Sequence, residues 1–307
     1  MTRDEFRKLT QNGDVLLLDG ATGSNLYLAG MPRGVCTEQW VLEHPDVIIN
    51  LQQAYAQAGS QVVLAPTFGA NRVNLARYGL EKEIARMNRE LVALSHQAAG
   101  QACLVAGDMT TLGELLESAG GEMEAEYVHE VYAEQAQLLR DAGVDLIVIE
   151  TMISAEETEI ALDAVRSVLP DLPVLCSMSV EADGRGAFGG NVFDLAETLP
   201  EIGCDALGIN CSLGPEQMVS MIARLRELTD LPLIAKPNAG LPVIDAEGHA
   251  VYGMGAQEFV QHMCALHKAG ASVLGGCCGT TPEYIRVLRR ALSGQLITVK
   301  TPGSKPV

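Results

Sequence analysis

The chain has 307 residues, of which 48% are hydrophobic and 20% are charged, and this composition is typical of a globular protein with a large core. Its formal net charge of −18 argues against nucleic acid or an anionic membrane as a partner, because both bind basic surfaces. No apolar run reaches the roughly 18 residues of a membrane span, and the charged N-terminal segment Met1–Lys8 is not followed by the apolar core of a secretory signal.

A short helix over Arg3–Gln11 is predicted first, and eight short apolar runs rich in Val, Ile and Leu follow it at regular intervals. Runs of this length that are apolar almost throughout are typical of strands buried on both faces of a parallel sheet. The predicted strands are Val15–Leu18, Gln61–Ala65, Cys103–Ala106, Leu146–Ile149, Val174–Met178, Ala206–Ile209, Leu233–Ala235 and Ser272–Leu274.

Helical patterns separate these strands, and four of them end at a glycine (Gly59, Gly143, Gly203 and Gly270) that is suited to a helix C-cap. The predicted helices are Pro45–Ala58, Glu81–Gln101, Glu124–Ala142, Ala155–Leu169, Leu195–Ile202, Pro215–Thr229, Ala256–Ala269 and Pro282–Leu292.

This alternation of strand and helix, in units of roughly 40 residues, predicts an α/β protein with a single (β/α)₈ TIM barrel. A doubly wound open sheet is the alternative, but the first strand is not followed by the glycine fingerprint of that fold. We expect residues 1–297 to form the barrel and residues 298–307 to form a flexible tail or linker.

Polar residues and cysteines follow the predicted strands directly. In a TIM barrel, active sites lie at this carboxyl end of the strands. Three of these residues are cysteines, whose thiols are candidates for a metal site. The residues at the strand ends are Asp19, Thr67, Asp108, Glu150, Ser179, Asn210, Cys211, Asn238, Cys277 and Cys278.

The adjacent pair Cys277 and Cys278 lies among glycines, and a disulfide between neighbouring residues is geometrically unfavourable. Together with Cys211, these thiolates would leave one position of a tetrahedral Zn²⁺ open for a substrate. Cysteine is also often a small buried apolar residue, so for Cys211 both interpretations stay open at this point. We expect a cytoplasmic protein whose remaining five cysteines are buried and reduced. These five are Cys36, Cys103, Cys176, Cys204 and Cys264.

Six ordered motifs, which together span most of the chain, resemble the zinc-dependent homocysteine S-methyltransferase family. Within that family they are most similar to the homocysteine-binding barrel of cobalamin-dependent methionine synthases. The motifs are Leu18-Asp19-Gly20-Ala21-Thr22-Gly23, Thr67-Phe68-Gly69-Ala70-Asn71-Arg72, Glu150-Thr151-Met152, Gly208-Ile209-Asn210-Cys211-Ser212, Lys236-Pro237-Asn238-Ala239-Gly240 and Gly275-Gly276-Cys277-Cys278-Gly279-Thr280.

The resemblance implies a TIM barrel in which Cys211, Cys277 and Cys278 bind zinc and act in catalysis. Homocysteine is the implied substrate. Its thiol titrates near pH 8.5, as free thiols do, and zinc would hold it as the thiolate that attacks a methyl group to give methionine. Asp19 and Glu150 are the implied partners of the substrate's ammonium group.

Four further residues are expected to contribute to substrate binding. Thr67 and Phe68 would shape the pocket, and Asn210 would orient a thiolate by a hydrogen bond. Asn238 is either a fourth zinc ligand while substrate is absent or an ordinary turn asparagine.

The methyl donor is indicated by a departure from the betaine-using branch of the family, which carries tyrosines where this chain has Gly69 and Thr151. An aromatic cage for a quaternary ammonium donor is therefore not expected. This favours a methyl-corrinoid donor carried by another domain or protein. The alternatives are a zinc- and thiol-binding barrel that catalyses nothing alone, and a family member that uses another donor such as S-methylmethionine.

Overall fold

Eight parallel strands form a nearly closed barrel in the computed structural model, which describes residues 1–10, 14–245 and 250–297. An antiparallel hairpin, formed by β8 and β9, is inserted before the last barrel strand. In chain order the strands are β1 (Leu16–Leu17), β2 (Val62–Leu64), β3 (Leu104–Met109), β4 (Leu146–Met152), β5 (Val174–Met178), β6 (Ala206–Asn210), β7 (Leu233–Lys236), β8 (Pro242–Ile244), β9 (Ala250–Tyr252) and β10 (Ala271–Leu274).

The spatial order of the barrel strands is β1-β10-β7-β6-β5-β4-β3-β2, so the chain winds once around the barrel. The seam between β1 and β2 is bridged by three hydrogen bonds. Gln61 donates its backbone N–H to the Leu17 carbonyl (2.7 Å) and accepts from the Leu17 N–H through its side chain (2.9 Å). The Asp19 carboxylate accepts from the Leu64 N–H at 2.9 Å. All eight predicted strands are confirmed, and the (β/α)₈ barrel is confirmed with them.

Helices surround the barrel, and those that follow strands β2 to β7 and β10 lie within two or three residues of their predicted bounds at both ends. The helices of the described chain are α1 (Arg3–Thr10), α2 (Gly23–Leu28), α3 (Thr37–Glu43), α4 (Pro45–Ala58), α5 (Arg72–Ala76), α6 (Ile84–Ala99), α7 (Ala125–Ala142), α8 (Ala155–Val168), α9 (Leu195–Ile202), α10 (Pro215–Leu228), α11 (Ala256–Lys268) and α12 (Pro282–Ala291).

Several helices end at the glycine that the sequence predicts as a C-cap. Gly59, Gly143 and Gly203 cap α4, α7 and α9 in the left-handed conformation. The short helices α2, α3 and α5 and the hairpin were not predicted, because each is too brief to show a clear periodicity. Gln11, the predicted last residue of the first helix, and the predicted tail over residues 298–307 lie outside the described residues.

Because side chains alternate along the strands, the strand residues belong to two different core clusters. Inward-facing residues fill the barrel together with Phe6 of α1, and outward-facing residues such as Leu17 and Val105 pack against the helices. The inward residues on the strands and next to them are Leu16, Leu18, Val62, Leu64, Leu104, Ala106, Leu146, Val148, Leu175, Ala206, Ile234 and Val273. Among the helices of the described residues, none is both long enough and apolar enough to cross a membrane.

Candidate metal and substrate site

The three predicted cysteine ligands converge at the carboxyl end of the barrel. Cys211 follows β6, and Cys277 and Cys278 follow β10. Their sulfur atoms all lie within 4.8 Å of one another, and the Cys211 and Cys278 sulfurs are 4.0 Å apart. A group of thiols at this spacing has the chemistry and the geometry to hold a zinc ion.

The backbone at this end of the barrel is strained at three residues. In the described part of the chain the non-glycine residues with positive φ are Thr151 (59°), Cys211 (58°) and Ser212 (44°), and all three are at this end of the barrel. Such conformations cost on the order of 1–3 kcal/mol each and persist where the surroundings hold them. The Ser212 hydroxyl supplies part of that support, since it donates to the Val180 carbonyl (2.9 Å) and accepts from the Val180 N–H (3.2 Å).

The second thiol loop is fixed by Thr280. Its hydroxyl donates to the Cys277 carbonyl at 2.8 Å and accepts from the Ala21 N–H at 3.0 Å, which ties the loop after β10 to the loop after β1. A Cβ at Gly276 would lie 2.4 Å from that hydroxyl, so this glycine is needed for close packing. In the same loop, Gly279 adopts the left-handed conformation that favours glycine, with a φ of 81°.

The protons on the three thiols are coupled through their hydrogen bonds. Bonds from Cys211 and Cys277 lower the pKa of Cys278 to about 3. Hydrogen bonds with Cys211 and Cys278, together with burial, raise the pKa of Cys277 well above its usual range. At Cys211 the bond with Cys277 lowers the pKa, but the bond with Cys278 and burial outweigh it and raise the value to about 11. One thiolate is thus favoured, and a bound cation is needed to stabilise all three.

A cavity of about 290 Å³ lies beside the thiols, and its wall is acidic. Asp19, Asp108 and Glu150 line it together with Lys236, and all four side chains are buried. The Lys236 ammonium forms an ion pair with Glu150. Burial lowers the pKa of Lys236, but the charges of Glu150, Asp19 and Asp108 outweigh that effect and raise it. The lysine is therefore a fixed cation at the base of the cavity.

Two of the carboxyl groups hold their protons more tightly than usual. Burial raises the pKa of Asp19 to about 7, against the opposing charge of Lys236. Burial and the charge of Glu150 raise the pKa of Asp108 well above its ordinary value. The cavity therefore contains more carboxyl groups than its single lysine can neutralise.

The sequence profile described as homocysteine S-methyltransferase matches residues 16–292 of the chain. The chain belongs to the homocysteine S-methyltransferase family. The resemblance seen in the six motifs is thereby confirmed, and with it the assignment to a family of methyltransferase enzymes.

Similar proteins from this family include the methionine synthases of Mycobacterium leprae and Mycobacterium tuberculosis. The first is 28% identical over 294 residues, which is 91% of this chain and 24% of that protein. The second is 29% identical over 294 residues, which is 91% of this chain and 25% of that protein. This homocysteine S-methyltransferase domain thus spans about a quarter of the length of these curated relatives.

A solved structure of similar fold is that of the homocysteine methyltransferase MmuM from Escherichia coli in its metallated form. The TM-score is 0.76 at 26% sequence identity, and the match covers 93% of this chain and 99% of that chain. The oxidised form of the same protein matches with a TM-score of 0.76 at 25% identity, over the same shares of both chains.

In this member of the homocysteine S-methyltransferase family, the predicted site residues fall into two groups. The first lines the cavity and comprises Asp19, Glu150, Phe68, Cys211, Cys277 and Cys278. The second, namely Thr67, Asn210 and Asn238, is buried and holds neighbouring segments in place. Their predicted contacts with substrate or metal stay predictions.

Each member of the second group has identifiable partners. The Thr67 hydroxyl donates to the Asp108 carbonyl (2.9 Å) and accepts from the Asp108 N–H (3.1 Å). The Asn210 amide donates to the Thr151 hydroxyl (2.7 Å) and accepts from the Thr151 N–H (2.8 Å), which supports the strained φ of that residue. The Asn238 backbone N–H donates to Leu213, whereas its side-chain oxygen is buried without a hydrogen-bond partner among the described residues.

Sequence reasoning assigned no role to four residues that shape this site. The sequence contained a signal for two of them, since Lys236 lies in one of the six motifs and Asp108 lies at a strand end. Both positions also follow the alternating pattern of their strands. Glu38 of α3 accepts from the Gly69 N–H at 2.7 Å and lines the cavity. Tyr252 of the hairpin lies next to Cys278 and helps to lower the pKa of its thiol. The sequence pattern carried no signal for these last two residues.

Proposed function

We propose that this chain transfers a methyl group to the sulfur of homocysteine to give methionine. The observation that carries the proposal is the convergence of Cys211, Cys277 and Cys278 beside an acidic cavity in a barrel of this family. These residues would hold zinc, which when bound keeps a substrate thiol in its nucleophilic thiolate form. The buried, partnerless side-chain oxygen of Asn238 suits a fourth ligand in the absence of substrate.

The residues of the chain would then orient the substrate. Asp19 and Glu150 would hold its ammonium group, which fixes the position of the homocysteine sulfur relative to the three cysteines. Both carboxyl groups are buried, so these charge interactions are stronger than they would be in solution.

The donor is proposed to be a methyl-corrinoid carried by another domain or protein. Two features support this choice over a quaternary ammonium donor. Phe68 is the aromatic residue among those that line the cavity, so an aromatic cage is not formed there. A Cβ at Gly69 would lie 2.8 Å from a Glu38 carboxylate oxygen, so a larger side chain at this position would displace the Glu38 carboxylate that accepts from the Gly69 N–H.

Metal content and methyl transfer test the proposal together. The purified chain is expected to carry about one zinc ion, and replacing Cys211, Cys277 or Cys278 by serine removes one of three thiolate ligands and most of the metal. Cys264→Ser is the matched control and should retain zinc, because Cys264 lies on α11 away from the thiol group.

The zinc-loaded chain, supplied with methylcobalamin and homocysteine, is expected to form methionine, and the three serine variants are not. Retention of zinc in the triple serine variant would contradict the site assignment. Zinc binding without any methyl transfer would indicate a non-catalytic barrel, and transfer from S-methylmethionine alone would overturn the proposed donor.

A further inference from the structure

The top layer of the barrel interior is polar, and it includes one carboxylate to which no role has been assigned. In β3, Leu104 and Ala106 belong to the cluster inside the barrel, and Asp108 follows them on the same face. The same alternation carries Glu150 inward on β4 and Lys236 inward on β7.

The position of Asp108 is fixed by its backbone. Thr67 makes hydrogen bonds to both its N–H and its carbonyl oxygen, and Thr67 itself is fully buried. The Asp108 side chain is therefore presented to the cavity by a rigid strand end. Such placement is typical of a residue that binds a ligand.

Hydrogen bonding in this layer is incomplete. Lys236 is paired with one oxygen of Glu150, and Leu64 donates to one oxygen of Asp19. The Oδ1 atoms of Asp19 and Asp108 are buried and have no hydrogen-bond partner within the described residues. Buried acceptors without donors are unfavourable, and in native proteins they often mark the place of a ligand.

A cation with several N–H donors would supply the hydrogen bonds that these carboxyl oxygens lack. Four buried carboxyl groups, those of Asp19, Glu38, Asp108 and Glu150, line the cavity together with one lysine, so the cavity lacks positive charge as well as donors. A primary ammonium group offers three N–H donors and one positive charge. The ion pair between Lys236 and Glu150 shows that this layer already accommodates one such group.

We propose that Asp108 binds the α-ammonium group of the substrate jointly with Asp19, and that it makes the site selective for thiols that carry an amino group. This inference rests on the proposed function, because it takes homocysteine as the bound thiol. It adds a third carboxylate to the two expected from the family resemblance. Asp19 and Asp108 each have a buried acceptor oxygen without a partner among the described residues, whereas Glu150 shares its charge with Lys236.

The test compares two thiols that differ only in the amino group, L-homocysteine and 4-sulfanylbutanoate. Calorimetry on the zinc-loaded chain is expected to show that Asp108→Asn weakens homocysteine binding by about tenfold to a hundredfold, the effect of losing one charge-assisted hydrogen bond. Binding of 4-sulfanylbutanoate is expected to stay the same. Zinc content is measured on each sample.

Asp145→Asn is the matched control. Asp145 is a buried aspartate at the opposite end of the barrel, where it accepts from the Val105 N–H at 2.9 Å, and its replacement should alter neither affinity. Asp108→Ala serves as a second variant in case the asparagine variant does not fold, and it should show the same selective loss.

Unchanged homocysteine affinity in both Asp108 variants would overturn the inference. Equal weakening of both thiols would also overturn it, because the residue would then support the structure and not the ammonium group. If the zinc-loaded wild-type chain binds 4-sulfanylbutanoate as tightly as homocysteine, the inference fails while thiol binding stands. If it binds neither thiol, the proposed function fails and the inference falls with it.

Discussion

The two carboxylate oxygens of Asp19 have different surroundings at the carboxyl end of the barrel. One carboxylate oxygen accepts from the Leu64 N–H across the seam between β1 and β2, and the other is buried without a hydrogen-bond partner among the described residues. The side chain is 1% exposed, and burial raises its pKa to about 7. A residue predicted to bind substrate thus also closes the barrel.

This raised pKa predicts how stability depends on pH. In the unfolded chain Asp19 loses its proton near pH 4, whereas in the folded chain it keeps the proton until about pH 7. Between these values the folded state binds more protons, so the free energy of unfolding falls as the pH rises, by on the order of 4 kcal/mol. The loss is complete above pH 7.

Urea denaturation of the wild type and of Asp19→Asn at several pH values between 4 and 8 measures this contribution. The stability difference between the two proteins should shift steadily in favour of the variant as the pH rises, because asparagine does not titrate. Parallel curves for the two proteins would show that Asp19 ionises normally in the folded chain.

At the scale of elements, the hairpin of β8 and β9 is the part of the site that was not anticipated. Its strands have three residues each and are largely exposed, with Val243 at 67% and Ile244 at 65%. A Cβ at Gly279 would lie 2.4 Å from the Cβ of Tyr252, so the hairpin packs directly on the second thiol loop. This contact places the Tyr252 hydroxyl beside Cys278.

With Cys278 as the proposed zinc ligand, Tyr252→Phe is expected to weaken zinc binding about tenfold to a hundredfold, the usual effect of losing a polar group beside a metal ligand. Competition with a chromophoric chelator measures the affinity. Tyr27→Phe is the matched control, since Tyr27 of α2 is 50% exposed. Equal zinc affinity in Tyr252→Phe and wild type would assign the hairpin a packing role alone.

At the scale of the whole molecule, the two ends of the barrel have different tasks. The thiols and carboxylates occupy the carboxyl end, whereas the amino end is closed by α1, whose Phe6 is fully buried in the interior cluster. Arg3 and Arg166 also pair there with the buried Asp205. In barrels of this type the amino end contributes mainly to stability.

Phe6→Ala should therefore lower the free energy of unfolding by about 3–5 kcal/mol, the usual cost of removing a buried aromatic ring, and leave zinc content unchanged. Urea denaturation and metal analysis check the two statements separately. Leu28→Ala, at a side chain that is 81% exposed, should have little effect on stability. Loss of zinc from folded Phe6→Ala would contradict the separation of the two ends.

The sequence by itself determined the strands, the principal helices and the thiol group. A strand such as Val174–Met178 is buried on both faces and is therefore apolar at every position except Ser177, while α4 begins at Pro45 and ends at Gly59 for local reasons. Cys211, Cys277 and Cys278 could be placed together because parallel strands end at the same edge of a barrel.

Only the tertiary structure decided which side chains meet across the barrel. The pairing of Lys236 with Glu150, the placement of Asp108 beside Asp19, and the contact of Tyr252 with Cys278 join residues that are far apart in sequence. Each contact depends on strand order, on the inward or outward phase of each strand and on the path of loops between strands. Sequence periodicity reports burial at each position separately, so it carries no information on which buried groups become partners.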